Sequence, residues 1–250
     1  MILLISPRYG TRADTVKLIE AARVRGIKTQ TLLNNWNIDT LAPNEQCAVY
    51  GEQAFCEFVA QELRLNFYQN SLDWIARLPH AFVKRSIRYM RMREAIEIEE
   101  NNHTILGRRL LEPADDIMDF DAGFYTKNFP FVPHNTNILV HSYHEWVAKF
   151  RFVVVNGKPV ASCCYRLCDT FNLPAIWQVQ YDTGGIDAKS FLDTLLDHVN
   201  CAPSCVIDVG YIKQTGWAVV STLPIWSAEL YGCSPNNFLD ALFAANQRME

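Results

Sequence analysis

The stretch that decides the fold reads Phe150-Arg-Phe-Val-Val-Val155, then Asn156-Gly157, then Lys158-Pro-Val-Ala-Ser-Cys-Cys-Tyr165. Two segments rich in strand-forming residues flank an Asn-Gly pair, which is the strongest short-range signal for a β-hairpin. Asn and Gly are favoured because a two-residue type I′ turn needs positive φ at both positions. The sequence therefore predicts two antiparallel strands joined at this pair.

The rest of the chain mixes helical and extended patterns. It opens with an apolar strand at 2–6, a helix at 13–25 and an extended segment at 29–33, an order that favours a parallel sheet covered by helices. Further helices are predicted at 53–63, 72–75, 188–199 and 237–247, and further strands at 104–111, 137–141, 175–181, 205–211 and 217–222. We expect an α/β (α+β) fold.

A long helical pattern is predicted from residue 80 to about residue 101, basic at first and acidic later. Lys84, Arg88 and Arg91 are spaced four and three residues apart, so they would share one helical face. Two interpretations stay open: a solvated face paired with nearby acids, or a site in the segment 84–93 that binds anions or nucleic acid.

Composition limits the functional classes. The 250 residues hold 23 Lys and Arg against 27 Asp and Glu, a net charge of −4 that does not suggest a dedicated polyanion binder. No apolar run approaches the roughly 20 residues that cross a bilayer, so no membrane association is expected. The N-terminus has no basic segment typical of a signal peptide, and with eight cysteines we expect reduced thiols and a cytoplasmic protein.

The cysteines do not show the short Cys-x-x-Cys spacing of structural zinc sites. Cys163 and Cys164 are adjacent in a predicted strand, so their side chains point to opposite faces and cannot both line one site. Buried thiols are therefore favoured over a metal centre.

A series of short motifs resembles one family of proteins. The first are Tyr50-Gly51-Glu52 with Phe55, Ser71-Leu-Asp-Trp-Ile-Ala-Arg-Leu-Pro79 and Phe82-Val-Lys-Arg85. The later ones are Glu112-Pro-Ala-Asp-Asp116, Phe120-Asp-Ala-Gly-Phe-Tyr125, the Phe150-Arg-Phe hairpin, Val206-Ile-Asp-Val-Gly210, Gly216-Trp-Ala-Val-Val220 and Leu230-Tyr-Gly-Cys-Ser-Pro235. Their order from about residue 50 to the C-terminus resembles small bacterial and phage ATP-grasp proteins.

The resemblance implies an N-terminal α/β domain at 1–78 and an ATP-grasp domain at 79–250, built of two α+β subdomains that clamp ATP. Members of this family usually activate a carboxylate as an acyl phosphate, which an amine then attacks. Such chemistry needs cations on the triphosphate and oxygen ligands on Mg²⁺. The resemblance makes Arg151, on the cleft side of the hairpin, the residue that stabilises phosphoryl charge, and Asp208 a metal ligand.

The sequence departs from the family pattern at the other site positions. Glu112 stands where the family has a phosphate-binding Lys, and Ile117 and Met118 follow the paired aspartates where a second Lys is expected. Lys149 replaces a Glu in the hairpin strand. Ser221-Thr222-Leu223 replaces the metal-binding Glu-x-Asn, and Leu223 offers no oxygen to Mg²⁺.

These departures lead to three functional hypotheses. The first is a degenerate ATP-grasp protein that acts as a binding or scaffold protein, with no cofactor and with a protein or peptide partner. The second is an active carboxylate-amine ligase that uses Mg-ATP and recruits Lys127, Lys149, Arg151 and Asp208. The third is an anion or nucleic-acid binder that uses Lys84, Arg88 and Arg91.

Overall fold

The structure is a computed structural model that describes residues 1–32, 45–101, 109–114, 123–124, 132–167 and 185–246. Its strands are β1 Ile2–Ile5, β2 Lys28–Thr31, β3 Cys47–Tyr50, β4 Ile87–Arg91, β5 Arg109–Pro113, β6 Gly123–Phe124, β7 Asn137–Ser142, β8 Trp146–Val155, β9 Lys158–Leu167, β10 Ser204–Ile212 and β11 Gly216–Leu223. Its helices are α1 Ala13–Val24, α2 Gln53–Leu63, α3 Trp74–Arg77, α4 His80–Val83, α5 Met92–Asn101, α6 Ile186–His198 and α7 Pro235–Ala245.

The strands form three sheets. The first has the order β2-β1-β3, and β1 is parallel to both of its neighbours. The second has the order β11-β10-β8-β9, and the third β4-β7-β5-β6 with antiparallel pairs. The predicted mixed α/β fold and its parallel βαβ start are thereby confirmed.

The predicted hairpin is formed by β8 and β9. The two strands pair antiparallel, with Phe152 opposite Ser162 and Val155 opposite Lys158. Asn156 and Gly157 have φ of 50° and 71° at the turn, as a type I′ turn requires. The prediction made from the Asn-Gly pair is therefore correct in type, register and turn position.

One compact unit comprises Met1–Asn70, Val147–Gly210 and Val220–Glu250. Its core joins the buried strands β1 and β3 to residues from far along the chain, including fully buried Trp226 and Phe238. The Tyr50 hydroxyl donates a hydrogen bond to the Ala228 carbonyl oxygen at 3.0 Å, 178 residues away. The first 70 residues therefore share their hydrophobic core with the C-terminal segment.

The other compact unit comprises Ser71–Trp146 and Tyr211–Val219. Its core is smaller and is built by five buried residues, Met92, Ala95, Leu111, Ile138 and Val140. The domain boundary predicted between residues 78 and 79 concerns the order of domains along the chain, and it stays a prediction.

The predicted long helix at 80–101 is wrong. Helix α4 ends at Val83, because Lys84 adopts a left-handed conformation with φ of 49°. Residues Ile87–Arg91 then form β4, which pairs with β7. Only Met92–Asn101 is helical beyond that point. Cross-strand pairing with β7 outweighs the local helical pattern, as tertiary contacts commonly do.

The other predicted elements fall into two groups. Helices α1, α2, α3, α6 and α7 and strands β7, β10 and β11 confirm their predictions to within a few residues. The predicted strand at 175–181 and residues 104–108 of another lie outside the described residues. Among the helices of the described segments, none has the length and apolar character to span a membrane.

Candidate functional site

Four neighbouring strands bring polar and aromatic side chains together around Arg151. Arg151 lies on β8, Tyr165 on β9, Asp208 on β10 and Ser221 on β11, and Tyr231 follows β11. We call these five residues the Arg151 cluster. On β8 and β10 the residues two positions from Arg151 and Asp208 are Val153 and Val206, which belong to the hydrophobic core. Side chains alternate along a strand, so the cluster continues the core face of this sheet.

Arg151 and Asp208 form a buried bidentate ion pair. Arg151 Nε donates to Asp208 Oδ1 at 2.9 Å, and Nη2 donates to Oδ2 at 2.8 Å. Their side chains are only 3% and 4% exposed, so solvent screens the pair little. The Tyr165 and Ser221 hydroxyls each donate to Asp208 Oδ2 at 3.2 Å. Four donors therefore converge on one carboxylate.

Aromatic rings complete the surroundings of the Arg151 guanidinium. Its central carbon lies 4.3 Å from the ring centroid of Tyr231, and Tyr165 stacks on Tyr231 with centroids 4.7 Å apart. Nη1 donates to the Glu229 carbonyl oxygen. Burial alone would lower the pKa of Arg151, but the hydrogen bonds and attraction from Asp208 outweigh it and raise the pKa. Arg151 is therefore charged at every physiological pH.

Burial also raises the pKa of the Tyr165 hydroxyl, and the neighbouring Asp208 carboxylate raises it further. Tyr165 thus stays protonated and acts as a hydrogen-bond donor. Tyr231 is 41% exposed and has φ of 52°, a conformation that bulky residues rarely adopt. Its ring is the accessible edge of the cluster.

The position where the resemblance places a phosphate-binding Lys carries an acid in an ion pair. Glu112 lies on β5, and its Oε1 is 3.3 Å from His141 Nε2 on β7. Arg85 is buried and donates hydrogen bonds to the carbonyl oxygens of Val83 and Val219. Burial lowers the pKa of Arg85 to about 10, although Glu112 opposes the shift. Arg85 therefore remains charged at neutral pH.

The metal-binding motif of the family is replaced by residues with structural hydrogen bonds. Ser221 binds Asp208, as described above. The Thr222 hydroxyl donates to the Val206 carbonyl oxygen at 3.0 Å and accepts from Asn70 Nδ2 at 2.8 Å. Leu223 packs against the hydrophobic core. The three side chains thus connect β11 to its surroundings, and only Ser221 reaches Asp208.

The structure does not gather Lys84, Arg88 and Arg91 on one face. Lys84 ends helix α4, and its Nζ donates to the Thr215 carbonyl oxygen. Arg88 and Arg91 lie three residues apart on β4, so their side chains point to opposite faces of the strand. The basic helical stripe at 84–93 is therefore wrong, because its second half is a strand.

The remaining predicted cations lie elsewhere. Lys149 is half-buried on β8 opposite Arg166, and a register shift separates it from Phe150. Lys127 lies outside the described residues, as do Asp115 to Met118.

Sequence reasoning found Arg151 and Asp208 but missed the partners that hold them. Tyr165, Ser221 and Tyr231 appeared only as letters within motifs or as replacements of expected ligands. The alternation of β9 places Tyr165 on the same face as Cys163, which pairs in register with Arg151. That signal could have found Tyr165, whereas Tyr231 lies 80 residues from Arg151 and depends on the tertiary fold.

Comparison with known proteins agrees with this architecture. Residues 120–241, just under half of the chain, match the model of an ATP-grasp domain family, which is described as family 2 of its clade. No curated protein has a matching sequence.

Solved structures share the fold over nearly the whole chain. The crystal structure of D-cycloserine synthetase DcsG has a TM-score of 0.57 and 13% identity, with 97% of this chain and 99% of that chain covered. D-alanine–D-alanine ligase from Bacillus anthracis has a TM-score of 0.54 and 12% identity, with 98% of this chain and 96% of that chain covered. A RimK domain ATP-grasp protein from Sphaerobacter thermophilus has a TM-score of 0.52 and 14% identity, with 97% of each chain covered. The chain therefore has the ATP-grasp fold, and its residues 120–241 match one ATP-grasp domain family within that fold.

Proposed function

We propose that this chain is a degenerate ATP-grasp protein that acts as a binding or scaffold protein with little or no ligase activity. The observation that carries the proposal is the state of Asp208, the one metal ligand that the resemblance assigns to a matching residue. Its carboxylate already accepts two hydrogen bonds from Arg151 and one each from Tyr165 and Ser221.

A Mg²⁺ ion at Asp208 would have to displace these donors. Mg²⁺ needs oxygen ligands at about 2.0–2.1 Å in near-octahedral geometry, and it usually takes them from carboxylates, phosphates and water. The ion would also lie close to the Arg151 guanidinium, which repels a dication. Ser221 supplies a neutral hydroxyl and Leu223 no oxygen at the positions that should add further ligands. The residues present therefore do not fit a family metal site.

The position expected to bind phosphate disfavours a nucleotide as well. Glu112 places a carboxylate where the resemblance has a cation, and the carboxylate faces His141. A nucleotide phosphate near Glu112 would be repelled, and this repulsion is stronger in a partly buried place than in water. Both halves of Mg-ATP binding thus lose support, and we propose that the natural partner is a protein or peptide and that the protein acts in the cytoplasm.

An active carboxylate-amine ligase is the second candidate. The retained Arg151 and Asp208 favour it, and so do the structural neighbours, which include a D-cycloserine synthetase and a D-alanine–D-alanine ligase solved with ATP. In that case Asp208 would bind Mg²⁺ only after Arg151 released it, Arg151 would then bind phosphoryl oxygens, and Lys127 and Lys149 would be the candidate nucleotide ligands.

Nucleotide binding separates the two candidates. A ligand at about 100 times its dissociation constant stabilises a protein by about 2.7 kcal/mol, and each kcal/mol moves the midpoint of a chain of this size by about 2–4 °C. An intact site should therefore raise the unfolding midpoint by about 5–10 °C in millimolar Mg-ATP. We expect no shift, and no ADP release in mixtures of amino acids or peptides.

The control separates specific binding from a general salt effect. ATP with EDTA supplies the nucleotide without free Mg²⁺, and Asp208→Asn keeps the shape of the side chain but removes its charge. A shift that requires Mg²⁺ and disappears in Asp208→Asn would establish the ligase candidate instead.

A further inference from the structure

Two cysteines that are 70 residues apart in the sequence meet beside the Arg151 cluster. Cys163 lies on β9, and Cys233 immediately precedes Ser234, the N-cap residue of α7. The two Sγ atoms are 3.2 Å apart, and the Cys233 thiol donates to Cys163 Sγ. Both side chains are free thiols, with the two residues 8% and 3% exposed. No sequence spacing indicated this pair.

The surrounding backbone holds the two thiols in place. Cys163 Sγ lies 3.7 Å from the Leu230 carbonyl oxygen, and Cys233 Sγ lies 4.0 Å from that of Arg151. A side chain on Gly232 would have its Cβ 3.4 Å from Cys163 Cβ, so the chain before Cys233 lies directly against β9. The thiols are therefore adjacent because of tertiary packing on both sides.

We propose that Cys163 and Cys233 are a reversible oxidation site, in which a hydroperoxide converts the two thiols into a disulfide. Cys163 thiolate attacks one oxygen of hydrogen peroxide, breaks the O–O bond and becomes a sulfenic acid, with hydroxide as the leaving group. Cys233 then attacks Cys163 Sγ, the S–S bond forms, and the sulfenic oxygen leaves as water. In sum, two thiols and one hydrogen peroxide give one disulfide and two waters, and a thiol reductant reverses the change.

The surroundings assign the two roles. The hydrogen bond from Cys233 lowers the pKa of Cys163 to about 7 against the effect of burial, with help from the Gly232 amide and the Arg151 guanidinium. The same hydrogen bond, together with burial, raises the pKa of Cys233. Cys163 is thus the thiol that forms the nucleophilic thiolate, and Cys233 is the resolving thiol.

Cys164 is a matched control within the same strand. It is more exposed than Cys163 but points to the opposite face, and burial raises the pKa of its thiol. If exposure alone governed oxidation, Cys164 would react before Cys163. If the geometry of the pair governs it, Cys163 and Cys233 react and Cys164 stays reduced.

The test is peptide mapping of the full-length wild-type protein. The protein is treated with a small excess of hydrogen peroxide, remaining thiols are alkylated, and the digest is analysed by mass spectrometry without reduction. We expect one cross-linked species that joins the peptides of Cys163 and Cys233, and its loss after a thiol reductant. Alkylated Cys163 and Cys233 beside an oxidised Cys164, or a Cys201–Cys205 link in place of the expected one, would overturn the proposal.

Thermal unfolding of the same samples gives a second readout. A disulfide that closes a loop of this length restricts the unfolded chain, and we expect the oxidised wild type to unfold about 5–10 °C above the reduced protein. Cys163→Ser and Cys233→Ser should lose this difference, and Cys164→Ser should keep it. Equal midpoints for oxidised and reduced wild type would contradict the proposal. Neither readout depends on whether the chain binds ATP.

Discussion

At the scale of single residues, the energetics of the Arg151–Asp208 pair decide how the site is interpreted. Burying two charges costs several kcal/mol each, and their mutual attraction roughly repays this cost when the geometry is good. The intact pair therefore adds little net stability. Removing one partner is different, because it leaves an uncompensated charge in a buried place.

We expect Arg151→Met to lower the free energy of unfolding by about 3–5 kcal/mol, because Asp208 then lacks its counter-charge. Urea denaturation measures the loss. The control is Arg166→Met, an exposed arginine on the neighbouring strand, which should change stability by less than about 0.5 kcal/mol. The double variant Arg151→Met/Asp208→Leu should recover most of the loss. Equal costs for the two arginines would contradict a buried pair.

Ser221→Glu tests whether one residue separates this site from a metal site. The change replaces a donor to Asp208 with a second carboxylate, and like charges close together destabilise the fold but bind divalent cations. We expect a lower unfolding midpoint without metal and a rise of the midpoint with millimolar Mn²⁺ or Mg²⁺.

The neutral variant Ser221→Gln is the control for size, and it should not respond to either cation. A similar metal response in the wild type would show that Asp208 already binds metal in its present surroundings.

At the scale of elements, local signals were reliable where they required an unusual backbone. The Asn-Gly pair specified the β8–β9 hairpin because both residues need positive φ. The segment 80–101 was mispredicted because spacing of charges does not distinguish a helix from a strand that gains its stability from a partner. Strand β4 is defined by its pairing with β7, whose nearest residue in that ladder is 46 positions away. Such a contact leaves no local signature.

Two glycines should respond differently to substitution by alanine. A Cβ on Gly157 would meet nothing within 4 Å, so Gly157→Ala should cost only the backbone strain of φ +71°, about 1 kcal/mol. A Cβ on Gly51 would collide with Ser6 Cβ, and Gly51→Ala should cost about 2–3 kcal/mol through overpacking between the ends of β3 and β1.

Chemical denaturation of both variants measures these costs. Gly26→Ala is the control, since Gly26 also has positive φ and open space, and it should match Gly157→Ala. A Gly51→Ala variant as stable as these two would show that β1 and β3 are not packed as described.

At the scale of the whole molecule, the ATP-grasp fold could be predicted from the order of motifs, and the structure explains why. Gly210, Trp217 and Gly232 lie at or near the ends of β10 and β11 and before α7, where the fold constrains residue type more than chemistry does. The candidate site could be predicted only in part. Arg151 and Asp208 belong to motifs, but the fact that they bind each other depends on strands 57 residues apart.

The shared core of the N- and C-terminal segments gives a prediction at this scale. Asn246 follows α7, and its Oδ1 accepts a hydrogen bond from the buried Val49 amide on β3 at 2.7 Å. Asn246→Ala leaves this amide without its acceptor, which should cost about 1–3 kcal/mol. Hydrogen exchange of the Val49 amide should become faster than in the wild type.

Asn236→Ala changes an exposed asparagine on the same helix and serves as the control. It should leave both the stability and the exchange of Val49 unchanged. An Asn246→Ala variant that behaves like this control would contradict the close association of β3 with the C-terminal segment.

The buried ion pair also has a consequence for how such a chain changes over evolutionary time. A domain is stable by only about 5–15 kcal/mol, so losing either Arg151 or Asp208 alone would remove a large share of that margin. Two changes at once are rare, and each single step is selected against by folding alone. Arg151 and Asp208 would therefore persist for generations after phosphoryl transfer had been lost, while exposed or tolerant positions such as Glu112 and Ser221 drifted. In this lineage the two residues that most resemble catalytic ones record ancestry, and selection for stability is sufficient to retain them.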